Sequence, residues 1–231
     1  MKKLLTAIAL ICLSLQATAQ ITPFLNKGES GAGMNTGIEK GYGFNSFTAG
    51  IGASWGGKID LEAGTYNTSY DSGKIGLMDD KAKSRYIEVH LTWWLLKMEL
   101  LPNLNLNIGA NPVFFNSDYT NYRYMDGTAV VNYDGYTGGA LGLVTNVVYR
   151  SEKGWLFIPS YRCHYQINRS HQSVALEDNS DTYTGLTSSF SAAFGKSFGK
   201  SGTLYLSLRQ FDDTYKSGAY YDITVGYVIP F

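Results

Sequence analysis

The chain closes with the stretch Tyr221-Asp-Ile-Thr-Val-Gly-Tyr-Val-Ile-Pro-Phe231. Counted back from the last residue, every second position is large and apolar, and the positions between them are mostly small or polar. Successive side chains of a β-strand point to opposite faces, so one face of this segment meets an apolar medium and the other does not. The stretch therefore predicts an amphipathic β-strand at the end of the chain.

The terminal residue adds a second signal. An aromatic last residue after alternating apolar positions resembles the closing strand of Gram-negative outer-membrane β-barrels, of the small OmpA-like or porin-like class. In that family the closing strand is an assembly signal, so the resemblance implies that Phe231, Ile229 and Tyr227 are recognised by the barrel-assembly machinery. It also implies an outer-membrane location, with membrane lipid around the wall.

The same alternation recurs upstream and predicts further strands. It is clear in the segments 44–55, 59–64, 86–95, 104–111, 182–197 and 203–212, and less regular in 136–150 and 154–167. With the closing strand the count is odd, whereas single-chain bacterial barrels have even strand numbers. We therefore predict an additional strand at 30–40, where Met34, Thr36 and Ile38 alternate with glycines and Asn35.

The predicted fold is thus an all-β, transmembrane, antiparallel up-and-down barrel of about ten strands. An eight-stranded barrel, with residues 20–43 as a tail or plug, is the alternative. Residues 1–19 read as a signal peptide, with a basic start, an apolar centre and Ala17-Thr-Ala19 before the cleavage point. Residues 20–231 then form one barrel domain in the outer membrane.

Composition excludes several functions. Without residues 1–19 the chain has 17 basic and 19 acidic side chains, so its formal charge of −2 argues against nucleic acid as a partner. The histidines, His90, His164 and His171, are scattered without metal-ligand spacing, and glycine-rich pieces have no nucleotide-binding context. We predict no metal and no cofactor.

The connections between predicted strands alternate between short and long, as bacterial barrels do with tight periplasmic turns and long outer loops. The long connections are 71–83, 116–135, 168–181 and 212–218. Loop 116–135 contains Asn-Tyr-Arg-Tyr and Asn-Tyr-Asp-Gly-Tyr, which makes it the candidate site for an extracellular sugar or protein ligand.

Aromatic residues are predicted to form two interfacial girdles, since amphipathic rings favour headgroup depth. The short-turn girdle comprises Trp55, Trp93, Trp94 and Trp155. The long-loop girdle comprises Tyr66, Tyr70, Tyr119, Tyr122, Tyr124, Tyr133, Tyr136 and Tyr183.

Charged residues also fall on the predicted inner faces. They are Asp60, Glu62, Glu88, His90, Arg209 and Asp222. Both signs are present, so these side chains can pair and fill a narrow barrel, which predicts an occluded lumen. A narrow polar channel is the alternative reading of the same residues.

One cluster suggests catalysis. His171 and Ser173 share one face of a strand, which would place a base beside a nucleophile. The pattern resembles the His-x-Ser-Asn motif of outer-membrane lipid A deacylases, which is followed by an acidic residue; Glu177 supplies the acid, but Val174 stands in place of Asn. The function hypotheses are therefore, in order, a structural or adhesive barrel acting through its outer loops, a narrow channel, and a lipid A-modifying hydrolase.

Overall fold

Antiparallel strands close into a barrel in the computed structural model, which describes residues 21–41, 44–70, 83–125, 128–174, 177–213 and 220–231. The strands are β1 Gly31–Gly41, β2 Phe44–Trp55, β3 Ile59–Tyr70, β4 Lys83–Leu101, β5 Leu104–Met125, β6 Thr128–Arg150, β7 Trp155–Val174, β8 Glu177–Ser197, β9 Thr203–Asp213 and β10 Tyr220–Pro230. The predicted signal peptide lies outside the described residues.

The first and last strands close the barrel. β1 pairs with β10 from Gly31↔Pro230 to Lys40↔Tyr221, and its other edge pairs with β2. The ten-strand prediction, including the strand at 30–40, is confirmed, and the eight-strand alternative is wrong. Pairing of the first strand with the last closes the sheet at the level of β1 and β10, which is what a sheet needs in order to sit in lipid.

The two faces of the wall differ in chemistry. Large apolar side chains are exposed on the outer face, among them Phe47, Leu61, Leu91, Phe114, Leu141, Phe190, Leu206 and Ile223. Polar side chains are buried on the inner face, among them Asn35, Thr48, Glu62, Thr92, Asn111, Asn146, Ser160 and Thr224. The apolar exterior matches a hydrocarbon environment. Among the described helical segments, none has the length and apolar character to cross a membrane.

Four connections of two to five residues lie at one end of the wall, which we call the short-turn end. Gly56 and Gly57, at φ 55° and 60°, form the turn between β2 and β3. A tight hairpin turn of this kind requires positive φ at both central residues, a conformation that glycine adopts without strain. The other connections at this end are Pro102-Asn103, 151–154 and 198–202.

The opposite end, which we call the hairpin end, corrects two predicted loops. Pairing of β5 with β6 continues to Met125↔Thr128, and pairing of β7 with β8 continues to Val174↔Glu177. Segments 116–135 and 168–181 are therefore mostly paired strands, and the prediction of long loops there is wrong. Residues 71–82, 126–127, 175–176 and 214–219 lie outside the described part of the chain.

Two girdle assignments are also wrong. Trp94 and Tyr66 are buried on the inner face, because each has the same strand parity as the inner charged residues. A register shift between Trp94 and Leu96 marks a β-bulge, after which both Leu95 and Leu96 are exposed. The other three tryptophans, Tyr136 and Tyr183 are exposed. The side chains of Tyr70, Tyr119, Tyr122, Tyr124 and Tyr133 lie outside the described residues.

Candidate functional site

The barrel interior contains a hydrogen-bonded chain of side chains that crosses the lumen. Arg209 on β9 donates to its cross-strand neighbour Asp222 at 2.8 Å and to the Tyr66 hydroxyl on β3 at 2.9 Å. Tyr66 donates in turn to Glu88 Oε1 on β4 at 2.9 Å, and His90 Nε2 lies 3.1 Å from the same oxygen. Opposite walls of the barrel are thus joined through charged and hydroxyl groups.

A second set of contacts joins β4, β5 and β7. His164 Nε2 donates to Asn111 Oδ1 at 2.8 Å, and Asn111 Nδ2 donates to Thr92 Oγ1 at 3.0 Å. Arg162 Nη1 lies 3.5 Å from His90 Nδ1, which connects this set with the first. These residues position one another, because each accepts or donates at a fixed place on a paired strand.

Glu62 is the least satisfied member of the interior. The residue is 1% exposed, and neither carboxyl oxygen has a hydrogen-bond partner among the described residues. Arg162 is its cationic neighbour, with Nη2 3.8 Å from Glu62 Oε2. An ion pair without hydrogen bonds gives little compensation for the cost of burying a charge.

All six predicted inner charges therefore lie inside the barrel, but the structure adds partners that sequence reasoning missed. These are Tyr66, Trp94, Asn111, Arg162 and His164. Arg162 and His164 share strand parity with Ser160, and that parity was the signal that could have found them. It was hidden because the segment 154–167 is apolar on both faces in places.

The short-turn end of the lumen is filled by the segment before β1. Residues 21–25, which we call the plug, include a 3-10 turn at Thr22–Phe24. Ile21, Phe24 and Leu25 are 0%, 5% and 7% exposed. They form one apolar cluster with inward residues of the wall, namely Val148, Leu156, Ile158, Ala193, Tyr205 and Val228.

Polar contacts fix the plug at both of its ends. Asp60 accepts the backbone N–H of Thr22 at 3.1 Å, the Thr22 hydroxyl, and the indole N–H of Trp94 at 3.1 Å. Arg150 donates to the carbonyl oxygens of Leu25 at 3.0 Å and Phe24 at 3.4 Å. Thus Asp60 holds the plug rather than joining the lumen-crossing chain.

A small cavity lies between the plug and the lumen-crossing chain. Its volume is about 50 Å³, and its lining includes Phe24, Arg162, Tyr205, Arg209 and Asp222. A space of this size holds a few water molecules. Its walls are polar enough to hydrogen-bond them.

The predicted catalytic residues lie near the hairpin end. His171 pairs with Ser180 and Ser173 pairs with Asp178, while Glu177 pairs with Val174. His171 and Ser173 thus occupy alternate positions of β7, but the side chains of all three candidates lie outside the described residues. Among the described residues, no three His, Cys, Asp or Glu side chains come together in a way that could hold a metal ion.

The predicted assembly residues lie on the outer face at the short-turn end. Phe231 is 74% exposed, and its N–H donates to Ser30 O at 3.0 Å. Ile229 is exposed, and the Tyr227 hydroxyl donates to Ser201 O. A free aromatic edge at the end of β10 is compatible with recognition by another protein, which stays a prediction.

The chain was compared with protein families, curated proteins and solved structures. No family model matches the chain, and no curated protein matches it. Among solved structures, the translocator domain of the autotransporter NalP from Neisseria meningitidis is similar at 11% identity and a TM-score of 0.51, over 89% of this chain and 90% of that one. The β domain of the Bordetella autotransporter BrkA gives 13% identity and a TM-score of 0.49, over 89% and 100% of the two chains.

The outer membrane protease OmpT from Escherichia coli gives 10% identity and a TM-score of 0.48, over 88% of this chain and 94% of that one. The similarity to the NalP domain supports the barrel fold of this chain. Identities this low show shared architecture and not shared activity. The chain has the fold of an outer-membrane β-barrel.

Proposed function

We propose that this chain is a closed outer-membrane barrel whose extended hairpins bind another molecule at the cell surface. The observation that carries the proposal is the combination of a plugged short-turn end with a lumen crossed by paired side chains. A lumen filled in this way favours a role outside the barrel, on the parts of the wall that extend beyond the lipid.

Two layers support closure. The plug fills the short-turn end with an apolar cluster, and the polar groups of Thr22, Phe24 and Leu25 are engaged in hydrogen bonds to the wall. Above it, the chain from Arg209 through Tyr66 to Glu88 spans the lumen, and the intervening cavity of about 50 Å³ has room only for a few waters. A continuous ion path would require both layers to open.

The longest hairpin supports the surface role. Among the described side chains of β5 and β6, the exposed aliphatic and phenylalanine residues end at Phe114 and Leu141. The exposed residues described beyond them, among them Asn116, Tyr136 and Thr137, carry polar groups. β5 continues from Asn116 to Met125, which at ~3.3 Å per residue adds roughly 30 Å of strand beyond the apolar band. With a strand tilt of about 40°, the hairpin would stand some 20 Å or more above the lipid.

A trimmed hairpin tests the surface role. Ser117 pairs with Tyr136, so replacing residues 118–135 with an Asn-Gly turn shortens both strands equally and preserves the register below. We expect the trimmed protein to fold and to lose binding to glycan and protein arrays that the full chain binds. Equal binding by the trimmed protein would refute the hairpin role.

Planar-bilayer recordings test closure separately. The full chain is expected to give no steady conductance. Steady ion conductance that changes in a Glu62→Gln or Glu88→Gln variant would instead establish the narrow channel.

Lipid A analysis tests the hydrolase hypothesis. We expect the acylation of lipid A to be the same in cells with and without the protein. Acyl loss that requires both His171 and Ser173 would replace the binding role with hydrolysis.

A further inference from the structure

The recess in the wall that holds the plug, which we call the seat, has the features of a binding site. A Cβ atom at Gly31 would lie 2.7 Å from Leu25 Cδ2, and one at Gly33 would lie 2.6 Å from Ile21 Cδ1. β1 therefore has no side chain at the two positions against which the apolar ends of the plug pack. The glycines of β1 thus make room for Ile21 and Leu25 at two defined places in the recess.

The seat also recognises specific groups in the middle of the plug. The Thr22 hydroxyl lies 2.7 Å from Ser54 Oγ and donates to Asp60. The Phe24 ring stacks on Tyr205, with centroids 4.1 Å apart and planes inclined by 19°. Pro23 has no N–H to satisfy inside the recess. The seat thus makes specific contacts with one hydroxyl group, one aromatic ring and two apolar side chains of the plug.

The backbone of the plug is recognised as well. Asp60 accepts the N–H of Thr22, while Arg150 donates to the carbonyl oxygens of Phe24 and Leu25. The plug contributes no strand to the wall and connects to β1 through the short segment 26–30. The wall therefore contacts the plug through both backbone and side chains, as a protein contacts a bound peptide, although the plug is part of the same chain.

We propose that the short-turn mouth is a peptide-binding site whose resident ligand is the chain's own segment 21–25, and that the site exchanges this segment for a free peptide of the same sequence. The ligand class is a short peptide with the pattern Ile-Thr-Pro-Phe-Leu. In the intact chain a short tether keeps the effective concentration of the plug in the millimolar range, which excludes competitors.

The test uses the full chain with a protease site inserted between Lys27 and Gly28. Lys27 is exposed, so the insertion changes neither the plug nor its seat. The protein is folded, then cut, and titrated with the peptide Gln-Ile-Thr-Pro-Phe-Leu-Asn-Lys labelled on its last side chain. Fluorescence anisotropy reports binding, and the same protein before cutting is the matched control.

We expect the cut protein to bind one labelled peptide saturably below about 1 mM, and the uncut protein to bind at least tenfold more weakly. Unlabelled peptide should displace the label, a Phe24→Ala peptide should bind at least tenfold more weakly, and a scrambled peptide should not bind. Release of the fragment without uptake of peptide, or a fragment that stays and never exchanges, would overturn the proposal.

A second variant guards against misfolding of the inserted protein. Phe24→Ala in the full chain weakens the resident plug without any insertion, and it should let the labelled wild-type peptide enter. No uptake by that folded variant would also overturn the exchange. Neither result bears on the hairpins, so the surface-binding role stands or fails on its own test.

Discussion

Replacing Arg209 with Met should be among the most destabilising single changes in the barrel wall. The substitution removes the 2.8 Å contact with Asp222 and the 2.9 Å contact with Tyr66 while leaving the Asp222 carboxylate buried. Breaking a buried pair by deleting one partner costs about 3–5 kcal/mol. The unfolding equilibrium constant should therefore rise by roughly a hundredfold to a few thousandfold.

The companion variant combines Arg209→Met with Asp222→Leu. Since it removes both charges, its stability should return to within about 1–2 kcal/mol of the wild-type value. Urea unfolding of the barrel in lipid vesicles, followed by the heat-dependent shift in gel migration, measures all the variants. Gln210→Met, on the exposed face of the same strand, is the matched control and should change stability by about 0.5 kcal/mol or less. An Arg209→Met variant within about 1 kcal/mol of wild type, or a double variant no more stable than it, would refute this account of the interior.

Three further outcomes are expected. Phe231→Asp should lower the amount of folded protein in the outer membrane more than Lys200→Asp does, as measured by heat-modifiable migration; equal amounts would count against the assembly signal. An epitope tag at Asp126-Gly127 should be reached by antibody on intact cells, whereas a tag at Gly57 should require permeabilised cells; the reverse result would invert the topology. Gly226→Ala should destabilise the barrel by about 1–3 kcal/mol in urea unfolding, because the new methyl group would lie 2.3 Å from the ring of Tyr205. An unchanged unfolding midpoint would contradict this packing.

The alternation of residue types was sufficient to predict the wall where lipid lies on one side and the lumen on the other. Beyond the membrane both faces of a strand meet water, so the contrast that marks a strand disappears. Segment 116–135 was predicted as a loop for this reason, although it is paired up to Met125↔Thr128. The Asp126-Gly127 dipeptide, a typical hairpin turn, was the remaining signal.

The interior was predictable in part. Strand parity placed Glu62 and Arg209 inside, but it does not tell which side chains meet across a lumen, since that depends on tilt and closure. Assigning Trp94 to a girdle by its place along the strand, and not by its parity, produced the error there. The plug has no periodic pattern; its sequence signal is the apolar segment 21–25 beside the glycines of β1.

Strand length divides the wall into two halves. The five neighbouring strands β9, β10, β1, β2 and β3 have 11 or 12 residues each, whereas β4 to β8 have 19 to 23. All share the short-turn end, so the difference of roughly 30 Å of strand accumulates at the other end. Among the described residues, the tall half therefore extends beyond the rim of the low half as a curved sheet on one side of the barrel. The described strands that pass beyond the apolar band therefore all belong to one side of the wall, so the surface they offer to another molecule is one-sided.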